Sequence, residues 1–461
     1  MAIAMTQPEK LERDKQFMVE SMHAVCMALA QETDRHGRPY LIPRMDYIAR
    51  PIVGARVLTL RIQRMNPKNT KRVLKVQSVL PQWLKLEHGL EVRIAQDSGD
   101  ILIEIPKPQE TWQSVNMAML ERLPVKGNGI VIGQGMFGRP MTMPVLSTDF
   151  QHALWAGRSR SGKTVNQMLL AYQIVKRGMG SIAIVDVSKK GEDWSSFENL
   201  PQLIAPPIYE MDEAARFFAW LEGELVRRAR LKDKGRKIWI FIDEIASITA
   251  LGEFDWVLKE AARVGASLGI HLMAATQRPD KEALPKHIKA NMGARVCGAV
   301  SGGSESTYAL DVKQAGANLL AGYGDLLGTT GNGIVSRFTG GMITASDFDR
   351  LERGQHRNIL TESGPVSSIS GYAENIPAPR RITPAQPEKK QVGRPSRQMT
   401  IDEIVYAMFE CTSINELQSK FGMGASAAKN LQGLGKRFRA SAFGQGYLAL
   451  PECTNERKKL K

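Results

Sequence analysis

Residues Gly157-Arg158-Ser159-Arg160-Ser161-Gly162-Lys163-Thr164 follow the pattern GxxxxGK[ST], which lets a backbone wrap a phosphate. Glycines at 157 and 162 free successive amides, and the start of the next helix, to point at the anion. Lys163 is then placed to reach the β and γ phosphates of a nucleoside triphosphate, and Thr164 to bind Mg²⁺ through its hydroxyl. An apolar run, His152 to Ala156, precedes the loop, and a helical segment, Val165 to Lys176, follows it. Both flanking contexts that give the pattern its meaning are therefore present. Further along, Lys237-Ile238-Trp239-Ile240-Phe241-Ile242-Asp243-Glu244 is a strand ending in two acids. At the carboxyl edge of a parallel sheet these acids fall beside the phosphate loop. Asp243 would hold Mg²⁺ through water, and Glu244 would orient and deprotonate an attacking water. A third strand, Ile270 to Thr276, ends in Gln277, an amide able to sense the γ phosphate.

Such residues need a sheet to bring them together, and the chain encodes one. From residue 152 onward, apolar strands near 152–156, 181–187, 237–243, 270–276 and 294–299 alternate with amphipathic helices. That alternation specifies a parallel sheet covered on both faces. Upstream, apolar spacing predicts a helix over 10–35, ending before the turn signal His36-Gly37-Arg38-Pro39. Strands are expected over 55–62, 90–94 and 101–105, with Val73 to Leu90 helical and interrupted by Pro81. Residues 363–399 carry Pro365, Pro377, Pro379, Pro384, Pro387 and Pro395 with few large apolar groups, the composition of a linker. Helical periodicity returns over Thr400 to Pro451. The expected order is an N-terminal helix (1–39), a small mixed β domain (40–145), an α/β P-loop ATPase motor (146–360), a Pro-rich basic linker (361–399) and a small helical domain (400–461).

Lys plus Arg number 62 against 47 Asp plus Glu, a net charge of +15, which favours a polyanionic partner. Charge alone does not separate DNA from RNA or an anionic membrane. The four cysteines form no CxxC pair, and with no signal peptide they point to a reducing, cytoplasmic setting. The spacing of His23 and Cys26 would suit one side of a metal site, but no second ligand pair accompanies it. The longest apolar stretches are strand-length, so no membrane span is expected.

The order GxxxxGKT, IFIDE and GIHLMAATQRPD, followed by Lys289-Ala290-Asn291-Met292-Gly293-Ala294-Arg295 and Gly322-Tyr323-Gly324-Asp325-Leu326-Leu327, resembles the motor of the FtsK/SpoIIIE family of DNA translocases, within the wider HerA group. The small domain ending in Ile130-Val131-Ile132-Gly133 to Pro144 also resembles that family, so the likeness covers roughly residues 50 to 345. The resemblance implies RecA-like subunits in a hexameric ring, with double-stranded DNA in the channel, ATP between neighbours and Mg²⁺ as its companion. It also implies a cation donated in trans, for which Arg263, Arg295, Arg227 and Arg228 are open alternatives. The chain departs from the family pattern at Arg158 and Arg160, and at Asp186-Val187-Ser188-Lys189, which stands where Asp-Pro-Lys is usual. No counterpart of the membrane-spanning N-terminal region is expected, which argues against a septum-anchored role.

At the other end, Ile401 to Phe409, Ile414 to Phe421 and Ala425 to Leu434 are three expected helices, the last two joined by Gly422-Met423-Gly424. With a hairpin over Phe443 to Leu450 this resembles the winged helix-turn-helix tail by which chromosomal members of the family read DNA. Ser426, Lys429, Asn430 and Gln432 would then face the groove, and Lys436, Arg437 and Arg439 the phosphates. Gly393-Arg394-Pro395 offers a weaker minor-groove reading. The functional expectation is a DNA-translocating ATPase serving plasmid, phage or integrative-element DNA, or conjugative transfer, with a recombinase or transfer apparatus as a partner. Protein cargo in a secretion system, or a nucleotide-gated DNA-binding regulator, are the alternatives.

Overall fold

The computed structural model describes residues 5–362 apart from 32–35, 37–47, 63–66, 88, 98–99, 125–128, 192, 233, 251 and 330–333, together with Asn415 and Ser419. The chain divides into two units, Met1–Ile369 and Ser370–Lys461. In the second, Asn415 and Ser419 are helical and exposed. The linker, the expected groove-facing residues Ser426, Lys429, Asn430 and Gln432, and the expected phosphate contacts Lys436, Arg437 and Arg439 lie outside the described residues.

The first unit opens on helix Gln7–Ala30, started by a capping box between Thr6 and Glu9. Phe17, Val25, Ala28 and Leu29 turn inward against a four-stranded antiparallel sheet. Its strands are β1 (Ile48–Val53), β2 (Val57–Ile62), β3 (Arg93–Asp97) and β4 (Asp100–Pro106), in the order β1-β2-β4-β3. Lys107 Nζ donates to Asp14 Oδ2 at 2.7 Å and to the Gly54 carbonyl at 3.2 Å, a buried ion pair that ties the helix to the sheet. Pro81 sits in the first turn of helix Leu80–Trp83, where its missing N–H has no intrahelical partner to lose.

A second sheet carries β5 (Val115–Asn116), β6 (Ile130–Gly135), β7 (Pro140–Met143), β8 (Ala153–Ala156), β9 (Ser181–Val185), β10 (Ile238–Ile242), β11 (Ile270–Thr276), β12 (Ala294–Cys297), β13 (Asp325–Thr329) and β14 (Ser336–Met342). The order is β7-β6-β14-β13-β12-β8-β11-β10-β9, with β5 beside β14. From β9 to β12 all neighbours run parallel, as the sequence predicts. Beyond β12 the sheet becomes antiparallel through β13, β14, β6 and β7, so it is mixed rather than wholly parallel. The strands at 130–143, on the far side of the expected boundary at 145, are hydrogen-bonded into this sheet. The β13–β14 and β6–β7 connections are short and carry no crossover helix, which suits antiparallel neighbours.

Side chains of the parallel strands alternate between two cores. Trp155, Trp239, Phe241 and Met273 face helix Lys163–Lys176, while Leu154, Ile240, Ile242 and Leu272 face helices Met211–Leu231 and Asp255–Val264. Helix Lys163–Lys176 is also fastened by amides: Asn166 Nδ2 donates to the Ile132 carbonyl at 2.7 Å, and Gln167 Nε2 to that of Met273 at 2.9 Å. Among the described residues no helix is long and apolar enough to cross a membrane.

Two buried histidines lie at the amino ends of the central strands, away from the loop. The Leu272 N–H donates to His152 Nδ1 at 2.9 Å, and His152 Nε2 lies 3.0 Å from the Ala262 carbonyl, so the neutral ring satisfies both contacts. His271 stacks on Trp239 with centroids 4.4 Å apart. Burial pulls the pKa of His152 down to about 3 and that of His271 to about 4. The unfolded chain therefore takes up protons near pH 6.5 that the folded chain refuses, and stability present above that pH is lost on acidification toward 4. His271→Phe should lower the pH slope of unfolding free energy between about pH 6 and 4.5 by one proton, ~1.4 kcal/mol per pH unit, in urea titrations.

Candidate nucleotide-hydrolysis site

The phosphate loop leaves β8 at Gly157, whose N–H donates to the Thr276 carbonyl at 3.1 Å, and Arg158 N–H reaches the Ala299 carbonyl at 2.7 Å. Gly157 has φ +136°, and a Cβ there would meet the Ala299 carbonyl oxygen at 3.1 Å, so only glycine is accommodated. Gly162 has φ +97°, and its Cβ would fall 2.8 Å from both Cα and N of Gly324. The segment Gly322-Tyr323-Gly324-Asp325 is thus a strap lying directly on the loop. Tyr323 N–H donates to the Arg160 carbonyl at 2.9 Å and Gly324 N–H to that of Ser161 at 3.0 Å.

The strap is held in turn by charge. Arg337 on β14 donates to Asp325 through Nε at 2.9 Å and Nη2 at 2.7 Å, and its Nη1 reaches Glu104 of β4 at 3.3 Å. Arg93 Nη1 closes the set on Glu104 at 2.8 Å, and its Nε donates to the Ala315 carbonyl at 2.7 Å. All four charged groups are buried, and two positive charges balance two negative ones. Arg56, stacked over Trp112, donates to the Tyr323 carbonyl from the small sheet. The small domain is thereby tied to the phosphate loop through the strap.

The predicted residues converge beneath it. Lys163 is buried, and its Nζ donates to the Arg158 carbonyl at 3.3 Å. Burial lowers its pKa, opposed by Asp243 and Glu244. Thr164 Oγ1 donates to Asp243 Oδ2 at 3.1 Å, joining the two residues expected at the metal. Glu244 follows β10 in the left-handed region at φ +63°, and both its oxygens accept hydrogen bonds: Oε1 from the Thr276 hydroxyl at 2.9 Å, Oε2 from Gln277 N–H at 2.8 Å. Burial raises the Glu244 pKa, while those two donors and Lys163 pull it back. Ser159 Oγ donates to Gln277 Oε1 at 2.9 Å, so the amide that follows β11 touches the loop directly. Arg158 and Arg160 are exposed, with Arg160 at φ +61°.

Three residues outside the predicted set complete the site: Asp186, Lys189 and Thr276. Asp186 is fully buried at the end of β9, and its pKa is raised by burial and by Asp243. Lys189 Nζ donates to Asp243 Oδ2 at 2.9 Å and Thr164 Oγ1 at 3.1 Å. Burial works against the Lys189 charge, but Asp243 and Asp193 outweigh it and hold the pKa above the ordinary lysine range. The only sequence signal for Asp186 and Lys189 was their departure from the Asp-Pro-Lys pattern; Thr276 carried none beyond ending a strand.

The candidate trans arginines differ in setting. Arg263 is exposed and pairs with Glu260 at 2.6 Å. Arg295 is buried, donating to the carbonyls of Met292 at 2.9 Å and Lys289 at 3.3 Å, and it pairs with Asp311 at 3.4 Å. Arg228 is buried against the Leu268 and Arg236 carbonyls, while Arg227 forms an exposed pair with Glu224. Arg295 and Arg228 thus serve their own fold, which leaves Arg263 and Arg227 as the outward-facing candidates.

The residues present suit Mg²⁺: a hydroxyl and a buried carboxylate 3.1 Å apart, with a second buried carboxylate behind them. A glycine loop between strand and helix, an amide after the neighbouring strand and two acids after the strand beyond it define a P-loop nucleoside-triphosphatase fold. Within it, the FtsK/SpoIIIE family model matches residues 117–246, the segment that bears the loop and both acids. DNA translocase FtsK 2 of Ralstonia nicotianae is 26% identical over 321 residues, covering 59% of this chain and 40% of that protein. DNA translocase SftA of Bacillus subtilis is 26% identical over 302 residues, covering 57% of this chain and 31% of that protein. The chain therefore spans 40% or less of the length of these curated relatives. Among solved structures, the pCW3 conjugation coupling protein TcpA in its monomer form with ATPγS is 20% identical with a TM-score of 0.47, covering 71% of this chain and 96% of that one.

Removing Arg337 would strand Asp325 as a buried negative charge and leave Glu104 to Arg93 alone. Arg337→Met should cost about 3–5 kcal/mol in denaturant unfolding, and adding Asp325→Leu should recover part of that loss. Full additivity of the two losses would show that the pair is not coupled.

Proposed function

We propose that this chain is an ATP-driven motor that moves along double-stranded DNA as a ring of identical subunits. The observation that carries the reading is the convergence of Lys163, Thr164, Asp243, Glu244 and Gln277 on one loop at the carboxyl edge of the sheet. Support for the DNA comes from the relatives' description as DNA translocases and from the net charge of +15.

The loop amides and Lys163 bind and orient the triphosphate, and Thr164 with Asp243 would hold Mg²⁺, which when bound neutralises charge on the phosphate oxygens. Glu244 is the group that takes a proton from the attacking water. Both Glu244 oxygens accept hydrogen bonds, from Thr276 and Gln277, so the carboxylate has to exchange one of those bonds for water before it acts. Gln277 also touches Ser159, which supplies a direct route from loop occupancy to Glu244. Arg263 or Arg227 of a neighbouring subunit is the proposed trans cation. The ring, a hexamer by family likeness, and a winged helix-turn-helix tail that orients it on plasmid, phage or integrative-element DNA belong to the same proposal. A recombinase or a transfer apparatus is the partner such a tail would recruit.

Two measurements test this. ATP turnover should rise with added linear duplex and should drive triplex-strand displacement; absence of both would overturn the DNA-motor reading. Lys163→Ala should lose nucleotide binding. Glu244→Gln should keep affinity for a fluorescent ATP analogue while turnover falls about 10²-fold or more, and equal turnover would remove Glu244 from the base role.

A further inference from the structure

Lys189 stands where the site's own logic expects a metal ion. Its ammonium lies 2.8 Å from Asp193 Oδ2, 2.9 Å from Asp243 Oδ2 and 3.1 Å from Thr164 Oγ1. Thr164 and Asp243 are the hydroxyl and carboxylate assigned above to Mg²⁺, and a single lysine bridges them.

The reason lies in the charges at this edge of the sheet. Asp243 is 3% exposed and Asp186 is fully buried beside it. Asp186 Oδ1 accepts from the Lys189 N–H at 3.1 Å and the Ser188 hydroxyl at 3.2 Å, while its Oδ2 is buried with no partner. Two carboxylates held together out of water require a positive charge close by. The other buried ammonium, Lys163, donates instead to the Arg158 carbonyl. Lys189 is therefore the nearest neutralising group, and the turn after β9 places both its N–H and its Nζ against the acids.

We propose that Lys189 is a built-in counter-ion that fills the cation position between Thr164 and Asp243 while the nucleotide site is empty, and yields it when Mg²⁺-nucleotide binds. The proposal rests on the reading of residues 157–164 as a triphosphate loop. Two cations cannot share one pair of oxygens, because at about 3 Å their repulsion is large even in a polar site. Free Mg²⁺ is thus kept out, and the metal enters only with a triphosphate that brings its own negative charge. The exchange is sterically open: the Lys189 side chain is 30% exposed, and Asp193, 40% exposed, offers it a partner on the solvent side. Lys189 is in this sense a positioning residue that sets which cation the site accepts.

Lys189→Met keeps the aliphatic stem and removes the charge. In the full chain without nucleotide, Mn²⁺ titrated by electron paramagnetic resonance should bind Lys189→Met at least ~tenfold more tightly than wild type, as expected when a competing cation is deleted. The nucleotide-free variant should also melt at a lower temperature than wild type, and Mg²⁺ should restore it while leaving the wild-type melt unchanged. Lys189→Arg, which keeps a cation, should exclude Mn²⁺ as wild type does. Equal Mn²⁺ affinity for Lys189→Met and wild type, or a melting loss that Mg²⁺ does not reverse, would overturn the proposal; should the Met variant not fold, Lys189→Gln is titrated in its place. Binding of a fluorescent ATP analogue with Mg²⁺ to wild type and Lys163→Ala runs in parallel. If wild type binds it and Lys163→Ala does not, the nucleotide site stands whatever Lys189 does. If wild type fails to bind it, the site reading itself falls.

Discussion

The contact between Gly162 and Gly324 constrains the rest of the structure. A phosphate loop must keep its amides turned inward, and here two carbonyls facing the other way, those of Arg160 and Ser161, are satisfied by the N–H groups of Tyr323 and Gly324. Only hydrogen fits between the two backbones, since a Cβ on Gly162 would sit 2.8 Å from Gly324. Everything that fixes the strap therefore fixes the loop. That includes the antiparallel strands β13 and β14, and through Arg337 and Glu104 the small sheet as well.

Charge is arranged by the same economy of space. The Arg93–Glu104–Arg337–Asp325 set is neutral as a group, and each member is hydrogen-bonded. Desolvation makes such a set weak as a source of stability but demanding in geometry, because no member can move without exposing another as an uncompensated charge. At the nucleotide edge the balance is different. Asp186, Asp193, Asp243 and Glu244 meet Lys163 and Lys189, and the surplus of negative charge favours a cation with an oxygen-rich ligand. A structural network is closed; a binding site is left two positive charges short.

Strong local patterns made much of this legible in advance. The five parallel strands appear where apolar runs of strand length end in small or acidic residues, and the expected loop, Asp243, Glu244 and Gln277 meet at one sheet edge. Parallel strands buried on both faces have unbroken hydrophobic runs, which is why they stand out. The antiparallel half was less visible. β14, Ser336–Met342, contains Gly340 and Gly341 and an arginine, and nothing in its composition announces a central strand. Its burial depends on what packs over it: a Cβ on Gly341 would meet Leu120 and Leu169, residues far away in the chain.

The amino-acid sequence alone determined the chemistry available, because the glycine spacing, Lys163, Thr164 and the acids after a buried strand follow from local order along the chain. It also determined which residues sit at strand ends, since an unbroken apolar run of strand length is readable without a partner. What only the tertiary structure decided is who touches whom across long separations. Arg295 and Arg228 proved to be internal ties, while Lys189, noted in the sequence only within a departure from the Asp-Pro-Lys pattern, proved to lie between Thr164 and Asp243. The reason is physical: a charged side chain looks alike in sequence whether it faces water or a buried carboxylate. Burial and partnership, which set its energy, exist only once the chain has folded.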